Sequence, residues 1–218
     1  MNLKPQAILF DLDGTLVDTA PDFFGVVNSL RVEAGKAPLA DDIIREQVSN
    51  GGIALSKLTW EISDDHPQLM EYRQILLDRY EQTVGTLSGF FAGFTQVLEQ
   101  RGEQHIRWGI VTNKPRLYTD LLLQRLNIRC DVVVCPEDVV NRKPAPDALL
   151  LAAGQLGLKA TDCWYVGDHI RDIESARAAC MFSIAALYGY IESADDPHAW
   201  GADAFIRTPA DLVNMIKM

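Results

Sequence analysis

Positive charge, cysteine and long apolar runs are all scarce in this chain, and each shortage removes a class of function. Its 218 residues carry 20 Lys and Arg against 30 Asp and Glu, a formal net charge of −10. A chain of that sign offers no basic face to nucleic acid or to an anionic membrane surface, so neither is expected as a partner. The four cysteines, Cys130, Cys135, Cys163 and Cys180, show no Cys-x-x-Cys spacing. Buried free thiols are therefore expected, in place of disulfides or a cysteine metal site. No run is long enough to span a bilayer, and Met1–Gln6 lacks the apolar core and small-residue cleavage site of a signal peptide. The expectation is a cytoplasmic protein. What the chain does have is 48% apolar content, enough for one large domain or a core with an insertion.

Its organising stretch is Asp11-Leu12-Asp13-Gly14-Thr15-Leu16-Val17-Asp18, directly after the apolar run Ala7-Ile8-Leu9-Phe10. Such a run bounded by polar residues predicts a buried strand with carboxylates at its tip. Ligands of open α/β sheets bind beyond the carboxyl ends of the strands, so two acids one residue apart there can serve one reacting centre. One carboxylate can attack phosphorus while the other exchanges protons with the leaving oxygen and the incoming water. Both can help to hold Mg²⁺, which takes oxygen ligands. An Asp-x-Asp-Gly alone is also an ordinary turn. A calcium loop of the EF-hand type fails on spacing, because Leu16 stands where the loop needs Gly and Asp22 where it needs Glu.

Helical periodicity follows over Ala20–Ala34, closed by Gly35, then from Asp41 and Asp42 through Val48, over Ile53–Ile62 and over Gln68–Val84. No strand pattern interrupts the chain between about Thr19 and Gly85, which predicts a helical cap over 19–85. From Phe94 onward helices (94–101, 118–126, 148–156, 173–179, 210–215) alternate with strands (108–112, 132–135, 163–166, 183–187, 204–207). That alternation predicts an α/β protein with a Rossmann-like parallel sheet, built from 1–18 and 86–218.

Three later strands also end in polar groups. Thr112-Asn113-Lys114 offers a hydroxyl and main-chain N–H groups to a phosphate oxygen, although Thr-Asn is also a common helix cap. Lys143 lies in Asn141-Arg142-Lys143-Pro144-Ala145-Pro146, where prolines restrict the backbone and can fix where the ammonium points. Gly167-Asp168-His169-Ile170-Arg171-Asp172 supplies a second pair of acids. Asp168 can complete a Mg²⁺ site with Asp11, whereas Asp172 reads first as a helix cap or a support behind the ligands.

Asp11-x-Asp13-Gly14-Thr15, Val111-Thr112-Asn113, Lys143-Pro144 and Gly167-Asp168-x-x-x-Asp172, in this order, resemble the haloacid dehalogenase superfamily, in its phosphoglycolate phosphatase-like branch. The resemblance covers essentially the whole chain. It implies Asp11 as nucleophile, Asp13 as general acid/base, Thr112 and Asn113 on the phosphoryl group, and Lys143 steadying both. It also implies Mg²⁺ held by Asp11, Asp168 and the main-chain carbonyl of Asp13. Dehalogenating members lack an acid at the position of Asp13, so phosphate chemistry is favoured.

In this branch a cap loop reaches the leaving group, and Ser49-Asn50-Gly51-Gly52 is the candidate, with a plain inter-helix turn as the alternative. The region Leu187-Tyr188-Gly189-Tyr190-Ile191, with Asp195-Asp196-Pro197 and Trp200, is similar to N-acetylmuramic acid 6-phosphate phosphatases as well as phosphoglycolate phosphatases. The implied partner is a small phosphorylated metabolite, and the implied assembly a monomer or homodimer. Alternatives are a β-phosphoglucomutase-like phosphotransferase and a receiver-like protein whose aspartate is phosphorylated as a signal.

Overall fold

The computed structural model describes residues 4–217; Met1–Leu3, part of the segment read above for a targeting signal, and Met218 lie outside them. The strands are β1 (Ala7–Phe10), β2 (Val17–Asp18), β3 (Gly89–Phe90), β4 (Arg107–Val111), β5 (Val132–Val134), β6 (Cys163–Gly167), β7 (Phe182–Ala186) and β8 (Ala204–Ile206). The helices are α1 (Ala20–Glu33), α2 (Asp41–Val48), α3 (Gly51–Trp60), α4 (Leu69–Thr83), α5 (Phe94–Glu103), α6 (Arg116–Arg125), α7 (Asp147–Gln155), α8 (Ile170–Ala178) and α9 (Pro209–Lys217).

Six strands form one sheet in the order β5-β4-β1-β6-β7-β8, every neighbouring pair parallel. The chain builds outward from β1 through β4 to β5, then returns to the other side of β1 for β6. That reversal leaves a crevice at the carboxyl end of β1, where open sheets bind ligands. Register brings the tips together, since Phe10 lies opposite both Ile110 and Val166. Asp11 N donates to Val166 O at 2.9 Å, pinning the first acid beside the end of β6.

All four β1 residues are buried, and the pleat divides them between two cores. Ile8 and Phe10 pack with Phe94 of α5, Leu122 of α6 and Leu212 of α9. Ala7 and Leu9 face α7 and α8 through Leu149, Ala152 and Ala176. A strand covered on both faces has no polar alternation, which is why the run reads as uniformly apolar.

Helices α1 to α4 pack on one another in the interval between β2 and β3. Phe23 stacks on Tyr80 with centroids 4.0 Å apart, and Trp60 on Tyr72 at 4.5 Å. Two crossings join this layer to the sheet. They pair as a two-residue antiparallel ribbon, β2 with β3, which is too short to leave a sequence pattern. Asp22, 2% exposed, ties the crossings together: its carboxylate accepts from Gly85 N at 2.5 Å, from Leu87 N at 2.7 Å and from Ser88 Oγ.

One boundary differs from expectation in a way that matters. Helix α3 begins at Gly51, so Gly51 and Gly52 form its first turn, and only Ser49 and Asn50 connect it to α2. Gly51 makes this possible by adopting φ +79°, a conformation that a side chain would strain.

Candidate active site

Asp11 and Asp13 leave β1 in different directions, and each meets its own lysine. Lys143 Nζ lies 2.8 Å from Asp11 Oδ1, 2.7 Å from Asp172 Oδ1, 2.7 Å from Tyr165 Oη and 3.1 Å from the Val111 carbonyl. Lys114 Nζ lies 3.0 Å from Asp13 Oδ1, and Thr19 Oγ1 donates to that same oxygen at 2.5 Å. Both ammonium groups are buried. Burial works against the charge of Lys143, but Asp11 and Asp172 outweigh it and hold its pKa above the ordinary value. For Lys114 burial likewise opposes the charge, while Asp13 and then Tyr80 raise the pKa.

The side chains of Asp11, Asp168 and Asp172 place one carboxylate oxygen each within 4.8 Å of one another. Asp168 is 1% exposed and is held by Thr15 Oγ1 at 2.9 Å and Tyr190 N at 2.8 Å. A side chain at Gly14 or Gly189 would collide with this carboxylate, so both positions need glycine for the close approach. Burial first, then Asp11 and Asp172, push the Asp168 pKa from 3.8 up to about 8. Burial also raises Asp11 to about 6, against the lowering effect of Lys143. Two buried carboxylates and the partly exposed one of Asp11, with one ammonium, form an excess of negative charge that a cation relieves, and an all-oxygen donor set suits a hard divalent ion.

The other sequence-derived candidates are placed as follows. Thr112 is buried at the tip of β4, where its Oγ1 accepts from Lys114 N at 3.1 Å. Asn113 lines the cavity, but its amide donates to the Lys143 carbonyl at 3.0 Å, bracing the lysine loop. Asp172 caps α8 by accepting from His169 N at 3.2 Å and pairs with Lys143 as well, so it joins the acidic cluster directly. Asp13 contributes no carboxylate to that cluster, since its side chain faces Lys114.

Ser49 and Asn50 reach the sheet. Arg171 donates to the Ser49 carbonyl at 2.9 Å and to Asn50 Oδ1 at 3.3 Å, and Asn50 Nδ2 donates to Glu192 Oε1 at 2.6 Å. The Tyr188–Ile191 stretch does mainly structural work: Tyr188 Oη donates to the Thr15 carbonyl at 3.0 Å, and Tyr190 Oη to Asp18 Oδ1 at 2.7 Å. A cavity of about 360 Å³ lies between these groups, lined by Asp11, Asp13, Thr112, Lys114, Lys143, Asn50, Gly51 and Gly52 among others. Sequence reasoning missed the side chains of Lys114, Tyr165 and Arg171. Lys114 and Arg171 left a trace only as members of motifs read for other groups, Lys114 beside Thr112 and Asn113, and Arg171 between Asp168 and Asp172.

Comparison with known proteins gives the family of the chain. Residues 8–186 match the haloacid dehalogenase-like hydrolase family. An N-acetylmuramic acid 6-phosphate phosphatase of Pseudomonas aeruginosa is 38% identical over 216 residues, covering 98% of this chain and 96% of the relative. A phosphoglycolate phosphatase of Xanthomonas campestris is 40% identical over 210 residues, covering 95% of each chain. A crystal structure of a predicted phosphoglycolate phosphatase from Haemophilus somnus superposes with TM-score 0.84 over 99% of both chains at 22% identity, a likeness of fold. The chain belongs to the haloacid dehalogenase-like hydrolase family, as a phosphoric monoester hydrolase similar to its phosphoglycolate and N-acetylmuramic acid 6-phosphate phosphatases.

Proposed function

We propose that the enzyme hydrolyses the phosphate ester of a small metabolite in two steps through an aspartyl phosphate on Asp11, with Mg²⁺ as cofactor. The observation that carries this reading is the division of labour at the tip of β1: Asp11 pairs with Lys143, and Asp13 with Lys114. Lys143 orients the Asp11 carboxylate and supplies positive charge where the transferring phosphoryl group needs it. Asp13, held apart from the nucleophile, gives a proton to the leaving oxygen and later takes one from the attacking water. The Thr112 hydroxyl and nearby main-chain N–H groups hold a phosphoryl oxygen. Asp11, Asp168 and the Asp13 carbonyl would hold the metal, with Asp172 placed to support or join them. Bound there, Mg²⁺ neutralises phosphate charge and screens the nucleophile from its substrate.

Residues 19–85 act as a cap on a core of 1–18 and 86–218, with hinges at the two crossings. The cap presents Asn50, Gly51 and Gly52 to the leaving group, and the contacts from Arg171 and Glu192 to Ser49 and Asn50 support a closed arrangement. A cavity of about 360 Å³ fits a metabolite, being near the lower end of the roughly 300–1,000 Å³ usual for ligand sites. Phosphoglycolate and N-acetylmuramic acid 6-phosphate are the first substrates to try.

The test is phosphate release with Mg²⁺ from both compounds, from hexose phosphates, nucleotides and pyrophosphate, using wild type, Asp11→Asn and Asp13→Asn. Asp11→Asn abolishes turnover, whereas Asp13→Asn slows it by about a hundred- to ten-thousand-fold. Near-wild-type turnover by Asp11→Asn contradicts the proposal.

A further inference from the structure

Among the described residues, two buried side-chain polar atoms have no hydrogen-bond partner, Tyr80 Oη and Arg101 Nε. Tyr80 alone of the two lines the cavity. It belongs to α4 and is 1% exposed, with its ring clamped between Phe23, stacked at 4.0 Å, and Tyr118 at 5.6 Å. The Lys114 ammonium lies over the face of this ring, 4.8 Å from its centroid. The same ammonium stands close enough to the hydroxyl for each to shift the other's pKa, yet the two do not meet in hydrogen-bond geometry. Burying a hydroxyl unpaired costs about 1–3 kcal/mol, so its persistence asks for a partner that arrives with the substrate.

The position of the hydroxyl indicates what it meets. Asp13 bonds to Lys114, and Lys114 touches the Tyr80 ring, so the tyrosine is one side chain away from the proposed acid on the leaving oxygen. Beside the charged groups, the cavity lining includes the apolar side chains Phe23, Val48, Leu77 and Tyr118, of which Phe23 and Tyr118 pack on the Tyr80 ring. Such a wall suits the carbon face of a ring, with the single hydroxyl to fix its orientation.

We propose that Tyr80 is a specificity-determining residue whose hydroxyl hydrogen-bonds a polar group on a sugar-type leaving group. The inference rests on the phosphatase reading of the cavity. It also makes Tyr80 a contact to the part of the substrate that departs, so it discriminates among esters of one phosphate chemistry.

Tyr80→Phe keeps the ring and removes only the orphan atom. The experiment measures Tm without ligand and kcat/KM for glucose 6-phosphate, N-acetylmuramic acid 6-phosphate, phosphoglycolate and phenyl phosphate. Tm is expected to hold or rise, because no native hydrogen bond is lost. The ratio of kcat/KM for a sugar phosphate to that for phenyl phosphate is expected to fall by about tenfold to a hundredfold. A lower Tm means that the hydroxyl already has a partner, and it overturns the proposal. So does an unchanged ratio, a fall confined to phosphoglycolate, or a wild type that turns over neither sugar phosphate. Failure of the phosphatase reading is distinct: no ester then shows release that Asp11→Asn abolishes.

Discussion

Lys143→Met is the substitution whose consequences the geometry specifies most fully. The acidic cluster sets the carboxylates of Asp11, Asp168 and Asp172 against the single Lys143 ammonium, which is 2.7–2.8 Å from two of them. Methionine keeps much of the side-chain volume but leaves two buried carboxylates without their cation. Removing one partner of a buried pair costs about 3–5 kcal/mol, and for a chain of this length that lowers Tm by about 6–20 °C. Phosphatase activity is expected to fall by about a hundred- to a thousandfold, the usual loss when a preorganised electrostatic contact is removed. The double variant Lys143→Met/Asp172→Asn separates the two effects. Deleting one carboxylate relieves the repulsion, so the double variant is expected to be more stable than Lys143→Met alone, yet no more active. The assay is thermal melting in chelator together with steady-state phosphate release in Mg²⁺. An unchanged Tm for Lys143→Met, or a double variant less stable than the single, refutes the electrostatic account.

Mg²⁺ at a hundred times its Kd is expected to stabilise the wild type by about 2.7 kcal/mol in denaturant melts, and Asp168→Asn to lose most of that gain; equal stabilisation of both places the ion elsewhere. Asp22→Ala strips acceptors from Gly85 N, Leu87 N and Ser88 Oγ, so a loss of at least about 2 kcal/mol and faster proteolysis near residues 84–89 are expected. In thiol labelling with iodoacetamide at pH 8, exposed Cys180 reacts first. Burial holds the Cys130, Cys135 and Cys163 thiols up at about 11, so each is ionised to only about one part in a thousand at that pH. Their labelling should accelerate as pH rises toward 11 or when the chain unfolds, and equal labelling of all four thiols in the native state at pH 8 contradicts the burial.

The legible parts of this protein are those in which one short segment carries the whole signal. Ala7–Phe10 followed by Asp11 announces a buried strand and its chemistry together, because burial on both faces removes the polar alternation and the tip restores it. The long helical interval is legible because Phe23, Val26, Val27 and Leu30 share one face of α1. Properties that depend on two distant segments meeting were not legible. The approach of Lys114 to Asp13 spans 101 positions, and Tyr165 reads as one more apolar residue of β6 until its hydroxyl is found against Lys143. Asp22 reads as a first-turn helix acid, and its contacts to 85–88 arise only when the crossings fold together. Gly51 reads as a loop glycine, whereas with its positive φ it begins α3 two residues early.

The central claim is that the substrate phosphoryl group passes through the Asp11 carboxylate. It is tested most directly by quenching the enzyme in acid during turnover, reducing it with borohydride and locating the modified residue by mass spectrometry. Reduction of an aspartyl phosphate yields homoserine, and the account predicts it at position 11 during turnover, in the wild type and in Asp13→Asn. Homoserine at another aspartate, or its absence throughout turnover in both proteins, contradicts the claim.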